Sequence, residues 1–130
     1  MIILADTNII LDCLDGSIPD PHALILPFQI IRISPVVLHE VLRSYSESFQ
    51  DPLKREFSKA LTPPPRLEHW TESAQILRIL YSKRKEKNIA RMQNDILIAL
   101  SARDLGAPIW SRDSDFEQIC NHLGIRWMNH

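Results

Sequence analysis

The sequence of 130 residues is short of glycine, cysteine and net charge, and each shortage excludes a class of protein. Its three glycines, Gly16, Gly106 and Gly124, lie in neither a GxGxxG dinucleotide-binding turn nor a GxxxxGK[ST] phosphate loop. Cys13 and Cys120 form no CxxC pair, which predicts two reduced thiols rather than a disulfide framework or a zinc site. The net charge of −1 excludes a strongly basic coat, so any nucleic-acid binding would depend on a local patch.

Long hydrophobic runs are also missing. The first apolar run ends at Asp6 and has no basic segment before it, which is not the pattern of a secretory signal peptide. No stretch approaches the roughly 20 apolar residues of a membrane span. We therefore expect a cytoplasmic protein without membrane association. The length predicts one domain over residues 1–130, which is enough chain to bury a core without disulfides or metal.

Apolar patterning predicts strands that alternate with helices. Strands are predicted over Ile2–Ala5, Ile30–Ile33, Pro108–Trp110 and Ile125–Trp127. The pattern over Arg66–Trp70 is ambiguous, and a short strand is the option considered there. Helices are predicted over Ile9–Leu14, Val36–Tyr45, Pro52–Leu61, Thr71–Lys87, Asp95–Leu105 and Phe116–Leu123. This alternation is typical of an α/β sandwich with a mainly parallel sheet.

Local signals place several helix ends. Ser34 before Pro35 has the form of an N-cap followed by proline at the first helical position. Thr71 and Asn94 are the expected N-caps of two later helices. Gly106 follows the last apolar residue of its helix, which predicts a left-handed C-terminal cap.

Four acidic residues occupy positions where ligands bind in parallel sheets. Asp6 directly follows the first predicted strand, and Asp113 follows the strand that ends at Trp110. Ligands of open parallel sheets bind outside the carboxyl ends of strands. Glu40 lies in the helix after the second strand, and Asp95 is expected in the first turn of a helix, where the dipole favours negative charge.

If the four carboxylates meet, their mutual repulsion raises each pKa, and only a cation relieves it. Oxygen-only ligands select a hard ion, Mg²⁺ or Mn²⁺, over zinc. Such an ion suits phosphodiester hydrolysis, because it withdraws charge from a phosphoryl oxygen and acidifies an attacking water. The five histidines offer no HxxxH or HExxH spacing that would compete: His22, His39, His69, His122 and His130.

Four segments in chain order make the sequence resemble PIN-domain nucleases, in particular the VapC-type toxins of toxin–antitoxin pairs. The segments are Ile3-Leu4-Ala5-Asp6-Thr7-Asn8, Ile33-Ser34-Pro35-Val36-Val37-Leu38-His39-Glu40-Val41, Asn94-Asp95-Ile96-Leu97-Ile98-Ala99-Leu100-Ser101-Ala102 and Ser111-Arg112-Asp113-Ser114-Asp115-Phe116. The resemblance implies a three-layer α/β/α sandwich with a parallel sheet of about five strands. It also implies Mg²⁺- or Mn²⁺-dependent endoribonuclease activity, a homodimer, and an antitoxin that occludes the site.

The resemblance also assigns roles to residues of this chain. Its acidic quartet corresponds to Asp6, Glu40, Asp95 and Asp113. Asp6 and Asp95 would ligate the metal most directly, while Glu40 and Asp113 would ligate it or orient waters. Three polar positions would support the site by hydrogen bonding: Thr7, Asn8 and Ser111. Asp115 is a neighbouring candidate for the fourth acid.

Each candidate also has a purely structural interpretation. Asp6 would cap the first helix, and Glu40 would pair with Arg43 on the surface. Asp115 has capping-box spacing to Gln118, whereas Asp113 has no such local role. A basic group is either a solvated helix end or an RNA-contacting patch: Lys83, Arg84, Lys85, Lys87 and Arg91.

Other functions fit the sequence less well. Phosphatases that begin with a strand and an aspartate need a second aspartate two positions later, where this chain has Asn8. Phospho-receiver domains need paired acids after the first strand, and these are missing. A PIN-fold RNA-binding module without catalysis, and an RNA-processing nuclease that is not a toxin, remain alternatives.

Overall fold

The computed structural model describes residues 2–16, 30–81 and 88–129, and these residues form four strands and six helices. The strands are β1 (Ile2–Ala5), β2 (Ile30–Arg32), β3 (Ile109–Trp110) and β4 (Trp127–Met128). The helices are α1 (Thr7–Leu14), α2 (Pro35–Arg43), α3 (Glu47–Ser58), α4 (Leu67–Tyr81), α5 (Ile89–Leu105) and α6 (Asp115–Leu123). The alternation confirms the predicted α/β class.

The four strands form one parallel sheet in the order β2-β1-β3-β4. The register places Ile3 opposite Ile31, and Leu4 opposite Ile109. The chain leaves β1 toward β2 on one side and returns to β3 on the other. The strand order therefore reverses between β1 and β3, and a cleft opens at their carboxyl ends, where parallel sheets bind ligands.

Helices cover both faces of the sheet at its centre. Ile3, Leu4 and Ala5 alternate between the two faces of β1, yet each is fully buried. Helix α5 is buried continuously from Asp95 to Ala102, as a helix is when it packs on several sides. This burial agrees with the layered α/β/α arrangement. The sheet of the described residues has four strands, one fewer than the resemblance implied.

The starts of two helices differ from prediction. Helix α5 begins at Ile89 rather than at Asp95, so Asp95 lies inside a buried helix instead of in its first turn. Alanine, arginine and methionine are strong helix formers, and they extend the helix ahead of the polar Asn94. The short strand considered over Arg66–Trp70 is wrong, because α4 begins at Leu67 and Thr71 lies within it. The Nδ1 atom of His69 accepts the backbone N–H of Arg66 at 2.8 Å, a capping contact that the usual cap residues do not signal.

Three further boundaries also moved. Helix α3 runs from Glu47 and contains Pro52, while Leu61, expected in that helix, forms a parallel bridge with Ile33. Strand β4 begins at Trp127, later than predicted. The capping box at Asp115 is also wrong, because the N-cap of α6 is Ser114, whose side chain makes no capping hydrogen bond.

Two of the predicted caps are confirmed. The Ser34 hydroxyl accepts the N–H of Val36 at 3.0 Å, with Pro35 at the first helical position. Gly106 ends α5 in the left-handed conformation with φ of 62°. The basic residues Lys83, Arg84, Lys85 and Lys87 lie outside the described residues. Among those described, no helix has the length and apolar character that crossing a bilayer requires.

Candidate metal centre

A cavity of about 430 Å³ lies at the carboxyl ends of β1 and β3, and we call it the acidic cavity. Its lining residues are Asp6, Thr7, Asn8, Leu11, Glu40, Arg43, Ala90, Arg91, Asn94, Asp95 and Asp113. All four acids of the predicted quartet are among them. They come from the β1–α1 junction, α2, α5 and the loop after β3, so the fold brings together acids that are far apart in sequence.

Asp6 is buried at the end of β1 and held by two neutral donors. Its Oδ2 atom accepts the Ser111 hydroxyl at 2.8 Å and the Asn8 side-chain amide at 3.1 Å. Although Asp6 is the N-cap of α1, its side chain makes no capping bond, so the structural alternative for Asp6 is wrong. Burial raises the pKa of Asp6 to about 6, and the hydrogen bond from Ser111 opposes that rise.

Asn8 and Ser111 join the ends of β1 and β3 into one rigid network. The Asn8 amide donates to the Ser111 hydroxyl at 3.1 Å, while its carbonyl oxygen accepts the backbone N–H of Arg112 at 3.1 Å. Ser111 is fully buried, and its hydroxyl accepts the N–H of Asp113 at 3.0 Å. Trp127 donates its indole N–H to the Ser111 carbonyl at 3.0 Å. This network positions Asp6 and the Asp113 loop together.

Asp95 has the least compensated charge of the cavity. It is 7% exposed, and its Oδ2 atom has no hydrogen-bond partner among the described residues. Burial is the largest cause that raises the pKa of Asp95 to about 8, and the negative charges of Asp6 and Asp113 raise it further. A buried carboxylate without a partner is costly, so this position favours either a proton or a cation.

Asp113 is half-buried, and both of its oxygens have partners. Its Oδ2 atom pairs with Arg91 at 2.8 Å, and its Oδ1 atom accepts the backbone N–H of Asp115 at 2.9 Å. The sequence-based view that Asp113 has no local role is therefore wrong, since it supports the start of α6. Asp95, Asp113 and Asp115 also offer carboxylate oxygens that lie within 4.8 Å of one another. Asp113 and Asp115 both lie beside Asp95, so both remain candidates for the fourth acid.

Glu40 and Thr7 complete the predicted set. Glu40 is half-buried on α2, and its negative charge raises the pKa of both Asp6 and Asp95. Within the described residues, Glu40 forms no ion pair with Arg43, the structural alternative considered for it. The Thr7 hydroxyl is buried and unpartnered among the described residues.

The donor set fits a hard divalent cation. Four carboxylates surround one cavity, and one of their oxygens is buried without a partner. Carboxylate oxygens are the ligands that Mg²⁺ and Mn²⁺ prefer. A divalent charge would lower the raised pKa values of Asp6 and Asp95 by stabilising their ionised forms.

Sequence reasoning did not assign Arg43, Leu11 and Ala90 to the site, and it treated Asn94 only as a cap. It also missed the bidentate ion pair in which Arg112 donates to both oxygens of Asp12, at 2.6 and 3.0 Å. These two residues stand 100 positions apart, and no local pattern links them. Two pairs of residues that line the cavity lie about one helical turn apart and could have been found from the helical repeat. These pairs are Glu40 with Arg43, and Arg91 with Asp95.

Comparisons with known proteins agree with this fold. The PIN domain family model matches residues 3–121 of the chain. VapBC2 from Rickettsia felis, solved with a DNA fragment from their promoter, has a TM-score of 0.68 and 19% identity, and the match covers 99% of this chain and 98% of that one. VapBC-1 from nontypeable Haemophilus influenzae has a TM-score of 0.66 and 20% identity, with 99% and 98% covered. FitAcB from Neisseria gonorrhoeae has a TM-score of 0.62 and 15% identity, with 98% and 96% covered.

A search among curated proteins finds no match. At these identities, the solved structures establish a shared fold. The family model spans nearly the whole chain, including all four segments on which the resemblance was based. The chain therefore belongs to the PIN domain family.

Proposed function

We propose that this protein is a Mg²⁺- or Mn²⁺-dependent endoribonuclease and the toxin of a VapBC-type toxin–antitoxin pair. One observation carries the nuclease assignment: four acids from four separate elements line one cavity, and a buried oxygen of Asp95 has no partner among the described residues. Four carboxylates in one cavity repel one another, and burying a carboxylate without a partner costs stability. A protein without a metal-dependent function would gain nothing from this arrangement.

The proposed roles follow from burial and hydrogen bonding. Asp6 and Asp95, the two buried acids, would hold the metal. Glu40 and Asp113 are half-buried at the cavity wall and would ligate it or orient water. Ser111 and Asn8 would keep Asp6 ionised and oriented through their two donated hydrogen bonds. Thr7 would support the same site, and Asp115 is the second candidate for the fourth acid.

When bound, the divalent ion would withdraw charge from a phosphoryl oxygen and acidify a nearby water. A carboxylate oxygen of Glu40 or Asp113 would accept the proton of that water as its oxygen attacks phosphorus. The bond from phosphorus to the 3′ oxygen would break, and that oxygen would take a proton from solvent, which leaves a 5′-phosphate and a 3′-hydroxyl. Burial of Asp6 and Asp95 keeps water away from the cation that they would hold, which would strengthen the attraction between that cation and the reacting phosphate.

The toxin assignment rests on the solved structures whose fold is similar to that of this chain. The similar solved structures are VapBC and FitAB complexes, with nearly full coverage of both chains. We therefore propose an antitoxin partner, a homodimer and a cytoplasmic location. The RNA-contacting role of the basic group Lys83, Arg84, Lys85, Lys87 and Arg91 remains part of this proposal. Arg91, in the first turn of α5, lines the acidic cavity.

Cleavage of RNA by the purified protein tests the proposal. We expect cutting with Mg²⁺ or Mn²⁺, none with EDTA, and a loss of at least about 100-fold in Asp6→Asn and Asp95→Asn, as for removal of a group that acts in the transition state. Asp51→Asn is the matched control, because it makes the same chemical change on the exposed helix α3.

Wild-type cutting by either site variant would overturn the assignment. Metal binding without cleavage of any RNA offered, including total cellular RNA, would favour the RNA-binding module. Cleavage without an antitoxin that inhibits it would favour an RNA-processing nuclease.

A further inference from the structure

Arg91 occupies an unusual position at the mouth of the acidic cavity. It lies in the first turn of α5, four residues before Asp95, so the two side chains share one helix face. Its Nη2 atom lies 2.8 Å from Asp113 Oδ2. The Arg91 side chain is 71% exposed, whereas that of Asp113 is 16% exposed. The ion pair is therefore anchored on its acidic side and open to solvent on its basic side.

This ion pair and a metal ion compete for the same carboxylate. Asp113 offers an oxygen within 4.8 Å of the Asp95 and Asp115 oxygens, the spacing of a group that could share one cation. Its two oxygens are already occupied, one by Arg91 and the other by the N–H of Asp115. A divalent ion near Asp95 would also repel the guanidinium of Arg91. Occupancy by metal and retention of the Arg91–Asp113 pair therefore oppose each other.

We propose that Arg91 exchanges partners: it neutralises Asp113 in the metal-free protein and, once the metal takes Asp113, turns to bind a backbone phosphate of the substrate. This inference rests on the proposed function, since the phosphate belongs to an RNA. The guanidinium suits both partners, because its planar fork matches carboxylate and phosphate oxygens alike. Its high exposure leaves it room to move between them.

The proposal makes two predictions of opposite sign for one substitution. Removal of Arg91 takes away a competitor, so metal binding tightens. It also takes away a phosphate contact, so RNA binding weakens. A purely structural ion pair predicts instead that the Asp113 loop loosens and that metal binding weakens. A fixed positive charge at the rim predicts that Arg91 and Arg43 act alike, because both line the cavity.

The first experiment measures Mn²⁺ affinity by calorimetry for the wild type, Arg91→Ala, Arg91→Lys and Arg43→Ala. We expect Arg91→Ala to bind Mn²⁺ about two- to fivefold more tightly, the range expected for loss of one largely exposed ion pair. Arg91→Lys should stay near the wild type because it keeps the charge. Arg43 forms no ion pair with an acid in the part of the chain that the structure describes, so Arg43→Ala controls for charge alone and should change affinity less. Unchanged or weaker binding in Arg91→Ala, or equal tightening in Arg43→Ala, would overturn the proposal.

The second experiment measures binding of a labelled 12-nucleotide single-stranded RNA at several salt concentrations, once with Ca²⁺ to restrain cleavage and once with EDTA. With the metal, Arg91→Ala should lower the slope of log affinity against log salt by about 0.7, the value of one single-strand phosphate contact. With EDTA, the variant and the wild type should agree, since Asp113 holds Arg91. An equal loss under both conditions would make Arg91 a fixed rim charge and contradict the exchange.

Failure of this inference and failure of the proposed function are distinguishable. The Mn²⁺ titration requires no cleavage and no particular RNA, so it decides the exchange even if the protein cuts nothing. Conversely, a metal-dependent nuclease whose Mn²⁺ affinity ignores Arg91 keeps the proposed function and loses the exchange.

Discussion

Two regions of the molecule share helix α5 and cluster titratable side chains, but they compensate those side chains differently. In the acidic cavity, Asp95 has an oxygen without a partner among the described residues, and its pKa is raised to about 8. Near the other end of α5 lies a group that we call the paired cluster: Arg66, His69, Glu72, Arg103 and Asp104. There the Nε2 atom of buried His69 lies 2.6 Å from Asp104 Oδ2, and Arg103 donates to both oxygens of Glu72.

The difference separates the proposed metal centre from a structural region. Buried polar groups in proteins are normally paired, and buried His69 of the paired cluster follows that rule where α4 packs on α5. The pKa of Glu72 is lowered, chiefly by its hydrogen bond from Arg103, so this carboxylate stabilises the fold in its ionised form. The pKa values of Asp6 and Asp95 move the other way, so the acidic cavity destabilises the fold until a cation arrives.

The largest expected effect is on the stability of the metal-free protein in Asp95→Asn. The folded-state pKa of Asp95 is raised from 3.8 to about 8, so the folded protein binds more protons than the unfolded chain across that window, and stability falls as the pH rises through it. Asparagine removes this charge, so we expect the variant to be more stable than the wild type by on the order of 2 kcal/mol at pH 8, with little difference near pH 4.

Denaturant unfolding in EDTA at several pH values measures this effect, with Asp51→Asn as the exposed control. Adding Mg²⁺ should stabilise the wild type and leave Asp95→Asn nearly unchanged, because a ligand stabilises only the protein that binds it. A variant that is less stable than the wild type at pH 8 in EDTA would show that Asp95 is compensated after all, and the contrast between the two regions would fail.

The next effect is the opposite response of the paired cluster. Asp104→Ala removes the acceptor of buried His69, which leaves a ring N–H unpaired and should cost about 2 kcal/mol. Asp104→Asn keeps an acceptor oxygen and should recover more than half of that loss. Both variants should retain wild-type Mn²⁺ affinity, since Asp104 lies outside the acidic cavity. Thermal unfolding and calorimetry check the pair, and a change in Mn²⁺ affinity would contradict the separation of the regions.

A smaller effect concerns the acid side of the stability profile. Because the pKa of Glu72 is lowered below 4.5 in the folded state, its contribution is present above that pH and is lost as the pH falls through the folded value. Glu72→Gln should therefore flatten the acid limb and lower stability at pH 7 by up to about 1 kcal/mol, a figure discounted for a side chain one-third exposed. If the free energy of unfolding of Glu72→Gln falls with decreasing pH as steeply as that of the wild type, Glu72 does not stabilise the fold through its ionised form.

The two regions also differ in how far the sequence predicts them. Asp6, Glu40, Asp95 and Asp113 were identified as candidates because each lies in a short motif, and strand-ending acids of a parallel sheet lead to one edge. Ser34 and Gly106 were identified because helix caps are local signals. Information within a few residues was sufficient for these assignments.

Long-range pairs carried no comparable signal. His69 and Asp104 are 35 positions apart, and Arg91 and Asp113 are 22 apart. Their pairing depends on how α4, α5 and the loop after β3 pack, which a local pattern does not encode. The start of α5 was missed for a local reason: Asn94 resembles a cap, but the helix formers Ala90, Arg91 and Met92 extend the helix ahead of it. The candidate acids were therefore predictable, whereas the charges that oppose them were not.

The smallest expected effect concerns the Asp12–Arg112 ion pair, which has one property of each region. It borders the acidic cavity, yet it is a compensated ion pair, with Arg112 half-exposed and Asp12 mostly buried. Asp12→Asn should lower stability by about 0.5 kcal/mol, or about 2 °C in Tm, as expected for a partly exposed ion pair. If a charged side chain that has an ion-pair partner plays only a structural role, Mn²⁺ affinity should not change in Asp12→Asn. The backbone N–H of Arg112 still bonds Asn8 in that variant. A loss of Mn²⁺ affinity without a matching loss of Tm would instead show that the pair positions the Ser111–Asp113 loop. Nearness to the acidic cavity, rather than possession of a partner, would then decide the role of a charged side chain.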